Sequence, residues 1–137
     1  MSKLKRRVAE KYNLDPFFET LNITRSSTEI FVDAVNKKEI EAVLRKNFKK
    51  FRRVVYEINK NHYNSDLYGK EDVSAKAKNV TAIKFKGKEN IRIGCKEFFR
   101  NGKKVVMIVK IIKKSQKNDK KIKKIYETIG GYDYDFK

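Results

Sequence analysis

Residues 80–114 read VTAIKFKGKENIRIGCKEFFRNGKKVVMIVKIIKK, and the fold turns on how they are read. Three runs are rich in β-branched and aromatic residues: VTAIKFK (80–86), NIRIGCKEFF (90–99) and KVVMIVKIIKK (104–114). Such runs favour strands. The joins KGKEN and RNGK both carry glycine, and Asn101-Gly102 is a hairpin signal. Three consecutive antiparallel strands are predicted.

Strand side chains alternate between two faces, so parity assigns the charges. If the KGKEN turn pairs Lys86 with Asn90, Phe85 meets Ile91 and Ile83 meets Ile93. Lys84 then stands opposite Arg92 on the other face, with Lys86 and Lys96 beside them. Like charges directly opposite one another destabilise a sheet. If the second hairpin keeps the same parity, Lys110 and Lys114 join them beside Val106, Ile108 and Ile112. A strict two-residue Asn-Gly turn would reverse that assignment. Gly94, among these cations, leaves space for something to approach the backbone. A cluster of this kind reads as a site for an anion, phosphate above all.

Upstream, NKKEIEAVLRKNFKKFRRVVYEIN carries Ile40, Val43, Leu44, Phe48, Phe51, Val54, Val55 and Ile58 at spacings of three and four, the pattern of a helix with one buried stripe. Asn36 is placed to cap it. Lys37, Lys38, Arg45, Lys49, Arg52, Arg53 and Lys60 fall mainly off the stripe, as a solvated face. Residues 28–35, TEIFVDAV, are open between two readings. Ser26 and Glu29 have capping-box spacing, whereas Ile30, Phe31 and Val32 favour a strand. We read a strand. Leu4, Val8, Ala9 and Tyr12 suggest a short amphipathic helix over 2–13. Asp15-Pro16 starts another, PFFETL. Near the C-terminus Ile122, Ile125, Tyr126 and Ile129 form the stripe of a short helix closed by Gly130, followed by YDYDFK, which alternates aromatic and acidic residues.

The expected fold is therefore α+β. N-terminal helices pack on one face of a small antiparallel sheet of three to four strands, followed by a short C-terminal helix. Residues 1–27 form a helical arm and 28–137 the main domain.

Composition narrows the function. Lys and Arg number 35 against 17 Asp and Glu, a net charge of +18 in 137 residues. Such an excess favours a polyanion as partner. Between Ile111 and Ile125 alone there are seven lysines. One cysteine, Cys95, excludes an internal disulfide or a cysteine-based zinc site; its alternation with Ile91 and Ile93 marks it as a small core residue. One histidine, His62, excludes a multi-histidine metal site, and a surface position at a helix end suits it. No Gly-rich phosphate loop is present. The basic N-terminus lacks the apolar centre of a signal peptide, and no apolar run approaches the roughly 18 residues that span a bilayer. A cytoplasmic protein is expected, with no membrane partner, metal or cofactor. Phe98 and Phe99 belong to the core or the hairpin edge, where an exposed ring could stack on a base.

A basic cluster can also do chemistry. Neighbouring cations lower a lysine's pKa, and such a lysine can serve as general base, here toward an RNA 2′-hydroxyl. Arginine would stabilise the charge that grows on phosphorus.

The stretch AIKFKGKENIRIGCKEFFRNGKKVVMIVKIIKKSQKNDKKIKKI resembles the RelE/HigB-like toxins of bacterial toxin–antitoxin pairs, over roughly residues 28–126. The family's basic strand matches Lys84 and Lys86, its central arginine matches Arg92, and its Lys-Lys-x-Gln-Lys segment matches Lys113, Lys114, Gln116 and Lys117. The resemblance implies an endoribonuclease that cuts mRNA, often on the ribosome, without a metal, and that an acidic antitoxin neutralises. Many members carry a catalytic His or Tyr near the C-terminus. This chain has no histidine there, and Tyr126, Tyr132 and Tyr134 are the positional equivalents. Tyr126 also shares its helix's apolar stripe, so core packing and catalysis both remain open. With the parity argument, the resemblance implies a catalytic group of Lys84, Lys86, Arg92, Lys114 and Tyr126. Lys96, Lys110, Lys113, Gln116 and Lys117 would hold RNA. The alternative function is an RNA- or ribosome-binding basic protein without catalysis.

Overall fold

A computed structural model describes residues 5–13, 28–60, 62–64, 66–71, 74–87, 90–113 and 119–136. Among the described residues there are seven strands: β1 (Lys5–Lys11), β2 (Glu29–Asp33), β3 (Tyr68–Lys70), β4 (Val80–Phe85), β5 (Ile91–Arg100), β6 (Lys103–Lys113) and β7 (Tyr132–Phe136). The helices are α1 (Lys37–Lys46), α2 (Phe48–Asn59) and α3 (Asp119–Gly130), with a 3-10 turn at Ala75–Ala77. The strands form one sheet in the order β3-β4-β5-β6-β2-β1-β7. The β2–β6 and β1–β7 pairs are parallel and the others antiparallel.

This overturns the expected architecture. The sheet is mixed, curled and seven-stranded rather than antiparallel with three to four strands, and helices cover both faces. On one face Ile40 and Leu44 of α1 and Phe51, Val54, Val55 and Ile58 of α2 pack on Ile30, Val32, Ile83, Ile93, Cys95, Val106 and Ile108. On the other, Tyr126 and Ile129 of α3 pack on Val80, Ala82, Val105, Met107, Val109 and Ile112. Central strands buried on both faces read as continuous apolar runs, and VVMIV in β6 is fully buried.

Residues 5–11 are not helical. The spacing of Val8, Ala9 and Tyr12 suits either period, and long-range partners decide between them. As a strand, β1 pairs with β2 and β7. Arg6 reaches Asp133 and Asp135 of β7, and Arg7 reaches Asp33. Asp33 is fully buried, and it also accepts from the Tyr134 hydroxyl at 2.7 Å and the Val35 amide at 2.9 Å. A buried carboxylate needs such partners. The tail's alternation is β7: Tyr132, Tyr134 and Phe136 join the α3-side core, and Asp133 and Asp135 point to Arg6. Within the segment 28–35 that was read as a strand, Glu29–Asp33 is one. The predicted PFFETL helix lies outside the described residues, as does the boundary at residue 27.

The single long helix predicted over 36–59 is two helices broken at Asn47. The Asn47 side chain donates from Nδ2 to the Val43 carbonyl at 2.9 Å, and its own amide shares that acceptor at 3.1 Å. Local side-chain bonding of this kind competes with helix continuation. Phe48 leaves the stripe in consequence and is 39% exposed. Asn36 flanks α1 but makes no capping bond; its Nδ2 donates to the Val109 carbonyl at 2.8 Å instead.

Candidate nucleic-acid interface

The β4–β5 register is the one that parity predicts: Phe85 faces Ile91, Ile83 faces Ile93, and Lys84 faces Arg92. Residues Lys84, Phe85, Lys86, Asn90, Ile91 and Arg92 line a cleft of about 100 Å³ at this end of the hairpin. The Lys84 side chain is 17% exposed. Deeper along the same face Val80 and Ala82 are buried.

The cluster contains acids that parity alone did not disclose. Lys84 Nζ is 3.2 Å from Glu71 Oε1, and both side chains are 17% exposed. Lys86, exposed, is 2.6 Å from Asp66, and this hydrogen bond holds the Asp66 carboxyl below its usual range. Its carbonyl accepts from Lys50 of α2. No sequence signal placed Glu71 or Asp66 here, because both come from the segment around β3, outside the hairpin whose parity aligns the cations.

Tyr126 stands behind Arg92. Its ring is core, 1% exposed, yet its buried hydroxyl meets no hydrogen-bond partner among the described residues. Burial pushes the phenol above its ordinary pKa, and Glu71 adds to the rise. Arg92 is near enough to oppose it.

The other residues of the predicted site disperse. Lys96 is half-buried and donates to the carbonyls of Gly130 and Tyr132 at 3.0 and 2.7 Å. Desolvation lowers its pKa. It ties down the end of α3 and is no surface cation. The space above Gly94 is filled: a Cβ there would stand 2.4 Å from Cδ1 of Ile129. Lys110 is exposed and lines a separate groove of about 260 Å³ with Lys121, Lys124, Ile125, Thr128, Ile129 and Tyr132. Helix α3 thus divides cations that an uncovered sheet face would have gathered. Val106 and Ile108 lie on the opposite face from Lys110. Lys113 ends β6 opposite Ile91. Lys114, Gln116 and Lys117 lie outside the described residues.

Cys95 is buried and its thiol is pushed up by desolvation, as befits a core residue. Phe98 packs edge-on against Phe136, whereas Phe99 is 78% exposed. Among the described residues no three His, Cys, Asp or Glu side chains are grouped to hold a metal ion, and no helix is long and apolar enough to cross a membrane.

No family model, curated protein or solved structure matches the chain.

Proposed function

We propose that the chain binds RNA, messenger RNA or its ribosomal context included, and that the β4–β5 cleft takes a phosphate of the strand. One observation carries this reading. Lys84 and Arg92 are held face to face on neighbouring strands, with Lys86 beside them, in a molecule of net charge +18. Like charges on directly opposed positions repel; Glu71 offsets Lys84, and a phosphate would offset the positive charge that Arg92 and Lys86 add. Arginine presents its donors in a planar fork suited to phosphate.

Fluorescence anisotropy with a labelled single-stranded RNA tests it. Affinity should fall steeply with salt, as displaced counterions require. Arg92→Ala should weaken binding by about tenfold, in line with the roughly 1.5–3 kcal/mol typical of a hydrogen bond to a charged group. Wild-type affinity that does not respond to salt would refute the proposal.

A second reading is the metal-free endoribonuclease with an acidic antitoxin as partner. The buried Tyr126 hydroxyl beside Arg92 favours it. A phenol with a raised pKa keeps its proton at neutral pH and could give it to the leaving 5′-oxygen. Arg92 would stabilise the phosphorane-like charge. The base is the weak point, since Lys84 is already ion-paired to Glu71. Purified protein in a translation reaction, with mRNA ends mapped, separates the two readings. Cuts that vanish in both Arg92→Ala and Tyr126→Phe would support catalysis; intact mRNA would leave binding alone.

A further inference from the structure

Between Arg45 and Arg53 the chain carries Arg45, Lys46, Lys49, Lys50, Arg52 and Arg53 and no acid. On a helix, like charges at i and i+4 repel. Lys49 and Arg53 of α2 have that spacing, while Arg45 and Lys46 close α1 beside them. At the start of α1, by contrast, Lys37 lies near Glu10 and Glu41. The break at Asn47 turns Phe48 out of the core, so that an aromatic ring 39% exposed stands among these charges. Arg45, Lys46, Asn47, Phe48, Lys49 and Lys50 line an open groove of about 310 Å³. Lys50 then reaches across to the Lys86 carbonyl. The patch and the β4–β5 cleft are therefore neighbours on one surface.

We infer that the α1–α2 junction is a stacking site for an unpaired nucleobase of single-stranded nucleic acid, with the Phe48 ring as platform and the cations of the groove on the flanking phosphates. The inference rests on the RNA-binding reading and extends the path of the strand from Arg92, past Lys86 and Lys50, to Phe48. Cationic grooves with aromatic platforms bind single strands with little sequence preference, because every base has a π-face. Paired bases are not available to stack in this way.

The chain has no tryptophan, so Phe48→Trp installs a single fluorescent reporter at the platform. A single-stranded oligoribonucleotide should quench its emission, and the same sequence as a duplex should not. Phe48→Tyr should keep wild-type affinity. Phe48→Leu, which retains apolar bulk, should lose about tenfold. Lys49→Gln should reduce the salt slope by about one. An oligodeoxyribonucleotide of the same sequence is the control for sugar: quenching by DNA alone would overturn RNA as the ligand. Unchanged emission while Arg92-dependent RNA binding persists would overturn the stacking site and leave the proposed function standing. Absence of any RNA binding by the wild-type chain would overturn both.

Discussion

Lys110 stands opposite Gly94 across β5 and β6, one place out of the register set at the hairpin turn. The Asn101-Gly102 turn pairs Arg100 with Lys103, and the ladder keeps that register as far as Cys95 and Ile108. Continued unbroken, it would set Lys110 opposite buried Ile93, in the core beneath α1 and α2. Val109 is instead the extra residue of a bulge, and bulges re-aim side chains in this way. Lys110 stays outside, and Ile111 and Ile112 enter the two cores.

Asn36 Nδ2 holds the carbonyl of the bulged Val109. Asn36→Ala should therefore cost about 1–3 kcal/mol, the penalty of an unsatisfied buried acceptor, read from urea denaturation. Asn36→Asp, a good helix cap, should not restore the loss, since it sets a carboxylate against a carbonyl. Full recovery with Asp would mean that capping, not the bulge, is what Asn36 serves.

Gly130 is needed for a close approach rather than for a turn. A Cβ there would lie 2.0 Å from the Lys76 carbonyl oxygen and 3.2 Å from the Ala77 Cα, both backbone atoms. At Gly94 the obstacle is the end of the Ile129 side chain. Gly94→Ala should cost about 1–3 kcal/mol, the usual range for overpacking. Gly130→Ala should cost more, because α3 must move off the 3-10 turn. Thermal melts of the two variants give the order, and a reversed order would contradict this packing.

Glu71 is the acid inside the proposed phosphate cleft. Glu71→Gln releases Lys84 and should tighten RNA binding several-fold at low salt, with the gain shrinking as salt screens it. Lys96→Gln should leave the salt slope of binding unchanged, because its ammonium is engaged by two backbone carbonyls. Anisotropy titrations over a range of salt concentrations check both.

Tyr68, Tyr126 and Tyr134 all have phenols raised above their ordinary pKa, in each case first by burial. Between the unfolded value of about 10 and the raised folded values, the unfolded chain has lost these protons and the folded chain has kept them. Their contribution is thus complete below about pH 10 and is lost as pH climbs through the folded values. Of the seven tyrosines, these three should ionise only as the fold is lost, in one step with the circular dichroism change. Tyrosinate absorbance rising for all seven before any loss of structure would contradict that burial.

The β4–β5 pairing, the β-hairpin at Asn101-Gly102 and the stripes of α1, α2 and α3 were legible in the residues, because turn chemistry and periodicity are local properties. That information was enough to bring Lys84 opposite Arg92. It could not say what would cover the sheet. Alternation in VTAIKFK looks the same whether its second face meets water or Tyr126 and Ile129, and the tail YDYDFK becomes a strand only because β1 lies ready to pair with it. Likewise, Lys96 and Arg92 share a face by parity, but the helix end that claims Lys96 comes from 34 residues further on. The local pattern determined which charges align along the strands. The tertiary structure decided which of them remain available to a ligand, because that depends on desolvation by segments distant in the chain.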